Sequence, residues 1–398
     1  MKQTSMMRIR NVIRLLRFTL GVLLFGPVVC SAQATFSSIY IFGDTISTTT
    51  NNISPSPSGT NYFGRRYTNG RVWVEVLAQE LGLTNNYWYS TNSLYSVSYT
   101  NLTFLTTNWS YSSNNWSYFG DYSSDLVKNV GNFKSPPNAT NALFVVWVND
   151  ADFVNDVNYG TNISQWTNAM NLSLTNHFVA VTTLYAKGAR TLIMPNAVDI
   201  GEVPDYSTYG SNNLAFIRQR VIDFNTSFTT TLMNRIKANC PGITIYVPDF
   251  FSLLNNILTN AAAYGLTNAG AGAYALNQNP PGVLTNLSMT GPGANYIWWD
   301  DEDPTAKAHA VMADIAKQLI SPAQITNFTE LNSNCQLGVA SLPIGLNGFV
   351  DCSTDLVFGN WTTVTNVVST NTTQMVFFPA SGPLWFYRLR FPYAWSWP

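Results

Sequence analysis

Two short segments of this chain carry residue types that can do chemistry. Residues 39–45, Ile-Tyr-Ile-Phe-Gly-Asp-Thr, read as a buried strand that stops at a carboxylate, Asp44, and an alcohol, Thr45. Residues 299–305, Trp-Asp-Asp-Glu-Asp-Pro-Thr, place a run of acids just before a helical pattern. An alcohol attacks a carbonyl only beside a base whose pKa suits the working pH, with donors aimed at the developing oxyanion. Thr is chemically capable of attack, but its methyl crowds a tight turn and restricts χ1. The structural alternative is a turn residue whose hydroxyl bonds the backbone of the next segment. A carboxyl with an unperturbed pKa of about 3.9 is a poor base near neutral pH. Asp303 before Pro304 reads instead as a helix cap, its carboxylate bonding free N–H groups. Asp44, Asp150, Asp300, Asp301 and Asp303 together suggest a hard cation, but no loop spacing supports one, so no metal is expected and an acidic turn facing solvent is the reading. The two histidines, His177 and His309, carry no motif and read as structural.

The elements that must position these segments follow from periodicity. Apolar runs at 37–42, 142–148, 191–195 and 243–247 have strand length, and helical patterns cover 72–81, 164–186, 213–238 and 304–320. Strands alternating with helices imply a parallel sheet with crossover helices on both faces, an α/β fold. Residues 48–61 are a loop by composition, and 87–122 an aromatic, Asn/Ser-rich decorated stretch. Past residue 320 the pattern turns to short β-like runs, a small β-rich C-terminal domain over 321–398.

Five pieces in order resemble the GDSL (SGNH) ester hydrolases. They are Phe42-Gly43-Asp44-Thr45; the 64–73 stretch around Thr68-Asn69-Gly70; Asn149-Asp150; Gly188-Ala189-Arg190 before a strand; and the Trp299 to Thr305 block. The resemblance covers most of residues 36 to 320 and implies a three-layer α/β/α domain, over 35–320, with its site at the C-terminal ends of the strands. It places Thr45 at the nucleophile, where the family has Ser, and Asp303 where it has the catalytic His. Asp300 matches the Asp that orients that His. Asn149 matches the side-chain oxyanion donor, and the backbone donor falls at Ser98 or Tyr99 when 94–99 is matched to the family's Asn-Tyr-Ala-x-Gly-Gly block. Loss of nucleophile or base in such triads costs on the order of a million-fold in turnover. The expectation is therefore an ester hydrolase-like protein of weak or lost activity, a possible pseudoenzyme, acting without a cofactor. The alternative is a protein that reuses the cleft to bind a carbohydrate or other small ligand, with Trp88, Trp109 and Trp116 as stacking surfaces.

Composition narrows the setting. At 398 residues with 46% hydrophobic content, the chain can bury a large core. A net charge of −1 offers no footprint for nucleic acid. A basic start, an apolar stretch at 18–29 and Ala32-Gln33-Ala34 read as a signal peptide over 1–34, hence a secreted or periplasmic protein with no stable membrane insertion after cleavage. In an oxidising compartment Cys335 and Cys352 are candidates to close a local loop, leaving Cys240 as a small apolar residue at a helix end.

Overall fold

The computed structural model describes residues 36–49, 62, 66–81, 83, 96–98, 103–105, 114–278, 293–321, 323–331, 334–342, 347–354, 361–371, 373–380 and 385–391. The expected leader, most of the 48–61 loop, Trp88 and Trp109 lie outside them. In chain order the larger unit contains β1 (Ile39–Gly43), α1 (Trp73–Glu80), β2 (Ser96–Ser98), β3 (Thr103–Leu105), α2 (Ser123–Asn132), β4 (Leu143–Trp147), α3 (Asn149–Asp156) and α4 (Ile163–Ala186). It continues with β5 (Thr191–Ile193), α5 (Ser211–Ser227), α6 (Met233–Asn239), β6 (Thr244–Tyr246), α7 (Phe250–Thr259), α8 (Ala275–Gln278) and α9 (Ala306–Ile320).

β1, β4, β5 and β6 pair in parallel in that order. β1 and β4 are buried at every position, and a parallel strand covered on both faces reads as an unbroken apolar run. Alternation along β1 sends Tyr40 and Phe42 to one face, where both meet Phe133 just past α2, at 5.1 and 5.3 Å between ring centroids. Gly43 pairs with Trp147 on the opposite face. There Trp147 meets Trp73 of α1 at 5.6 Å and Phe250 of α7 at 5.0 Å. Helices therefore cover both faces, the α/β arrangement expected. The free edge of β1 is taken by residues 114–118, which run parallel to it. Ile41 N donates to Asn114 O (2.8 Å), Trp116 N to Ile41 O (2.7 Å) and Tyr118 N to Gly43 O (3.2 Å).

The helix expected over 213–238 is interrupted. A π-helical turn, Phe228–Leu232, separates α5 from α6 and keeps Phe228 and Leu232 buried. α2, α3 and α7, of ten residues or fewer, are not among the expected helices.

Beyond α9 come β7 (Gln324–Leu331), β8 (Asn334–Ala340), β9 (Asn347–Ser353), β10 (Thr362–Val368), β11 (Thr373–Pro379) and β12 (Phe386–Arg390). They form two antiparallel sheets, β11-β8-β7 and β10-β9-β12, around a core that includes Leu337, Val339, Val350 and Val376. The loop closure considered for Cys335 and Cys352 is not made: both are buried free thiols. Cys335 Sγ lies 3.7 Å from the Tyr387 hydroxyl, and Cys352 Sγ 3.4 Å from Thr362 Oγ1. Cys240 is buried at the end of α6, the apolar role expected. Among the described residues no helix is long and apolar enough to cross a membrane.

Candidate active site

β1 delivers Asp44 and Thr45 into a single 3₁₀ turn, Thr45–Ser47. Asp44 caps it, Oδ1 accepting from Ile46 N at 3.2 Å, and the Thr48 hydroxyl donates to Asp44 O at 2.8 Å. Only glycine fits before this turn: a Cβ on Gly43 would lie 2.8 Å from Ser47 Cβ and 2.9 Å from Ser117 Oγ. The turn bonds thus belong to Asp44 and Thr48, not to the Thr45 hydroxyl as the turn reading held. Among the described residues that hydroxyl has no hydrogen-bond partner.

The 66–73 stretch locks this turn to α9. Arg66 forms a buried two-pronged ion pair with Glu75, with Nε 2.6 Å from Oε2. Glu75 Oε2 also accepts from Val72 N at 2.9 Å. Asn69 Oδ1 accepts from Ala306 N at 2.8 Å, at the start of α9. Trp73 Nε1 donates to Ser47 Oγ (3.1 Å), and Trp73 N donates to His309 Nδ1 (3.2 Å). Burial pushes His309 down to about 3, so it is a neutral structural acceptor. His177 is structural too, contacting Ser173 O through Nδ1 at 2.8 Å inside α4.

Residues 299–305 form a closed turn in which Asp301 faces solvent while Asp300 and Asp303 are buried. Trp299 N donates to Asp303 O at 2.7 Å. Asp300 Oδ1 accepts from Glu302 N (3.0 Å) and Asp303 N (2.7 Å), and Oδ2 from the Tyr62 hydroxyl (2.9 Å). Asp300 therefore organises this loop; its bond to residue 303 is to the backbone N–H, not to the side chain that replaces the His. The cap of α9 is Thr305, whose Oγ1 accepts from Ala308 N at 3.3 Å. The cap reading of Asp303 fails, and its carboxyl has no hydrogen-bond partner among the described residues.

Thr45 and Asp303 line one cavity of about 310 Å³, with Asp44, Asp150 and Glu302 beside them. Its remaining wall is apolar, including Val154, Val203, Leu253, Ile257, Trp298 and Met312. The expectation of solvated acids is overturned for Asp44, Asp150, Asp300 and Asp303, all buried. Burial comes first among the causes that hold Asp303 well above the carboxylate range, followed by the charges of Asp300, Glu302 and Asp44. Burial likewise pushes Asp44 up to about 7, against the Ile46 N–H bond. Glu302 rises to about 7 through burial and the nearby Asp205 and Asp301. Asp300 rises to about 6 because burial outweighs its hydrogen bonds. Asp150 is raised well above its ordinary value by burial and by Asp44. The judgement that Asp303 is too weak a base rested on an exposed carboxyl, which this is not.

Asn149 does not line the cavity; its Nδ2 donates to Pro195 O at 3.0 Å. Ser98 sits on β2, paired only with β3, and its side chain lies outside the described residues. The cavity is instead reached by the segment on the edge of β1, through Phe119 and Gly120. Asn115-Trp116-Ser117-Tyr118-Phe119-Gly120 meets the Asn-aromatic-small-x-x-Gly pattern better than 94–99 does. That match was the available signal, hidden by the aromatic crowding around it. Trp116 packs between Phe42 (6.4 Å) and Phe133 (6.1 Å), so its face is not free for a sugar.

Comparison with known proteins agrees with this geometry. A GDSL esterase/lipase of Arabidopsis thaliana is 25% identical over 332 residues, covering 74% of this chain and 86% of the relative. A second from the same plant is 25% identical over 345 residues, covering 76% of this chain and 91% of the relative. The model of the GDSL-like lipase/acylhydrolase family matches residues 39–316, the span that carries the parallel sheet, the Thr45 turn and the Asp303 loop. On that match, this chain belongs to the GDSL-like lipase/acylhydrolase family.

Proposed function

We propose that the protein is exported and binds a small carboxylic ester, which it hydrolyses far more slowly than a Ser–His enzyme would. Thr45 is the attacking alcohol and Asp303 the group that takes its proton. The observation that carries this reading is the shared cavity: Thr45 and Asp303 both line it, and among the described residues neither side chain has a hydrogen-bond partner. The backbone N–H of Gly120 is the proposed oxyanion donor, because that residue reaches the cavity while the Asn149 amide is tied to Pro195. Donors and binding without a competent triad still give on the order of a thousand-fold over water. A carboxyl raised by burial has gained base strength that an exposed one lacks.

The test is hydrolysis of a short-chain p-nitrophenyl ester by purified protein. Slow turnover that disappears in Thr45→Ala supports the assignment. Turnover that survives Thr45→Ala, or none in the unaltered protein at any pH, rejects it.

A further inference from the structure

Several buried carboxylates of this fold meet cations. Glu75 has Arg66, Asp199 has Arg218, and Asp351 has Arg388 and Arg390. The acids of the cavity have no such ion pair among the described residues. Asp44, Asp150, Glu302 and Asp303 line it, and no lysine, arginine or histidine is among the described lining residues. Asp150 is 3% exposed; its Oδ1 accepts from Val198 N at 2.9 Å, while Oδ2 is buried with no partner. The groups behind the lining are acids as well: Asp121 near Asp44, Asp152 near Asp150, and Asp205, Asp300 and Asp301 near Glu302. Uncompensated buried carboxyls are costly, and a cation removes that cost.

We propose that the ligand of this cavity carries a positive charge on an apolar body, so that the favoured substrate class is esters of amino alcohols. The apolar wall of Val154, Leu253, Leu254, Ile257 and Met312 accepts the hydrocarbon, and the acids at the Thr45 end accept the ammonium. Hydrolysis of such an ester adds water across the acyl C–O bond and yields the carboxylic acid and the amino alcohol. Once ionised, the acid is repelled by the same carboxyls that drew the substrate in. Cation binding also releases protons from the lining acids, so affinity increases with pH.

The proposal rests on the cavity being the ligand site of the proposed function, and it can be read without any turnover. Trp147 and Trp298 line the cavity, so quenching of tryptophan fluorescence reports binding of octyltrimethylammonium, octanol and octanoate. At about pH 8 the cation is expected to bind at least about tenfold tighter than either other probe, an advantage that shrinks by about pH 5 as the acids protonate. Glu302→Gln, at a half-buried position, should weaken the cation alone. Octanoate or octanol binding as tightly as the cation, or no binding of any probe, overturns the proposal. Cation-selective binding without ester turnover upholds it and rejects the catalytic reading instead.

Discussion

Asp303 shows how far a residue's chemistry depends on its surroundings. As a letter in the sequence it is a weak base standing where an imidazole is expected; buried beside Asp300 and Glu302, it holds its proton well above the carboxylate range. The proton must leave before Asp303 can accept one from Thr45, so residual kcat/KM should rise with pH along a limb displaced upward from that of an ordinary carboxylate. In Thr45→Ser combined with Asp303→His, the limb should fall at about pH 6.5 or lower, where a buried imidazole titrates. That double variant should also gain at least about a hundred-fold in kcat, a modest share of the million-fold that such groups command. A p-nitrophenyl ester assay across pH checks both; a flat profile in the unaltered protein would remove Asp303 from the mechanism. Motif order pointed to Thr45 and Asp303, and both line one cavity. Their lack of fold-imposed hydrogen bonds was not legible in the sequence, because neighbours in space supply the turn bonds and the helix cap.

At the scale of elements, the site is held by caps and one buried ion pair. Asn69 links the loop before α1 to the first N–H groups of α9, so Asn69→Ala should cost about 1 kcal/mol of unfolding free energy. Glu75→Ala removes the carboxylate that faces the buried Arg66 and should cost about 3–5 kcal/mol. Urea unfolding would rank the two; equal midpoints would show that the ion pair carries no more than the cap. Gly120 has φ +73° with nothing within 4 Å of an added Cβ. Gly120→Ala therefore meets backbone strain of about 1–2 kcal/mol rather than a clash. If its N–H is the oxyanion donor, turnover should fall while binding of octyltrimethylammonium holds. The strands β1 and β4 were legible because full burial leaves an uninterrupted apolar run, and β5 and β6, less buried, from short apolar runs. α2 and α3 were not, because at ten and eight residues, rich in Ser, Asp and Asn, they read as loop by composition.

For the whole molecule, the cluster of raised carboxyls sets a sign on stability. Asp44 and Glu302 bind protons more tightly folded than unfolded, so the native state holds more protons between about pH 4 and pH 7. Stability should therefore fall as pH rises across that window, by on the order of a few kcal/mol in all, with the maximum on the acid side. Calorimetric Tm values from about pH 5 to pH 8 would show this, and Asp44→Asn should flatten the slope; a Tm that climbs with pH contradicts the burial of these acids. Motif order and apolar runs alone determined the family, the α/β layering, the β-rich end and the positions of Thr45, Asp300 and Asp303, since these are local patterns. Tertiary structure decided that Phe119 and Gly120 line the cavity, that Asp300 serves its own loop and Tyr62, and that four acids share an apolar cavity with no basic residue among its described lining. Those facts depend on which distant segments meet, and no local spacing encodes them.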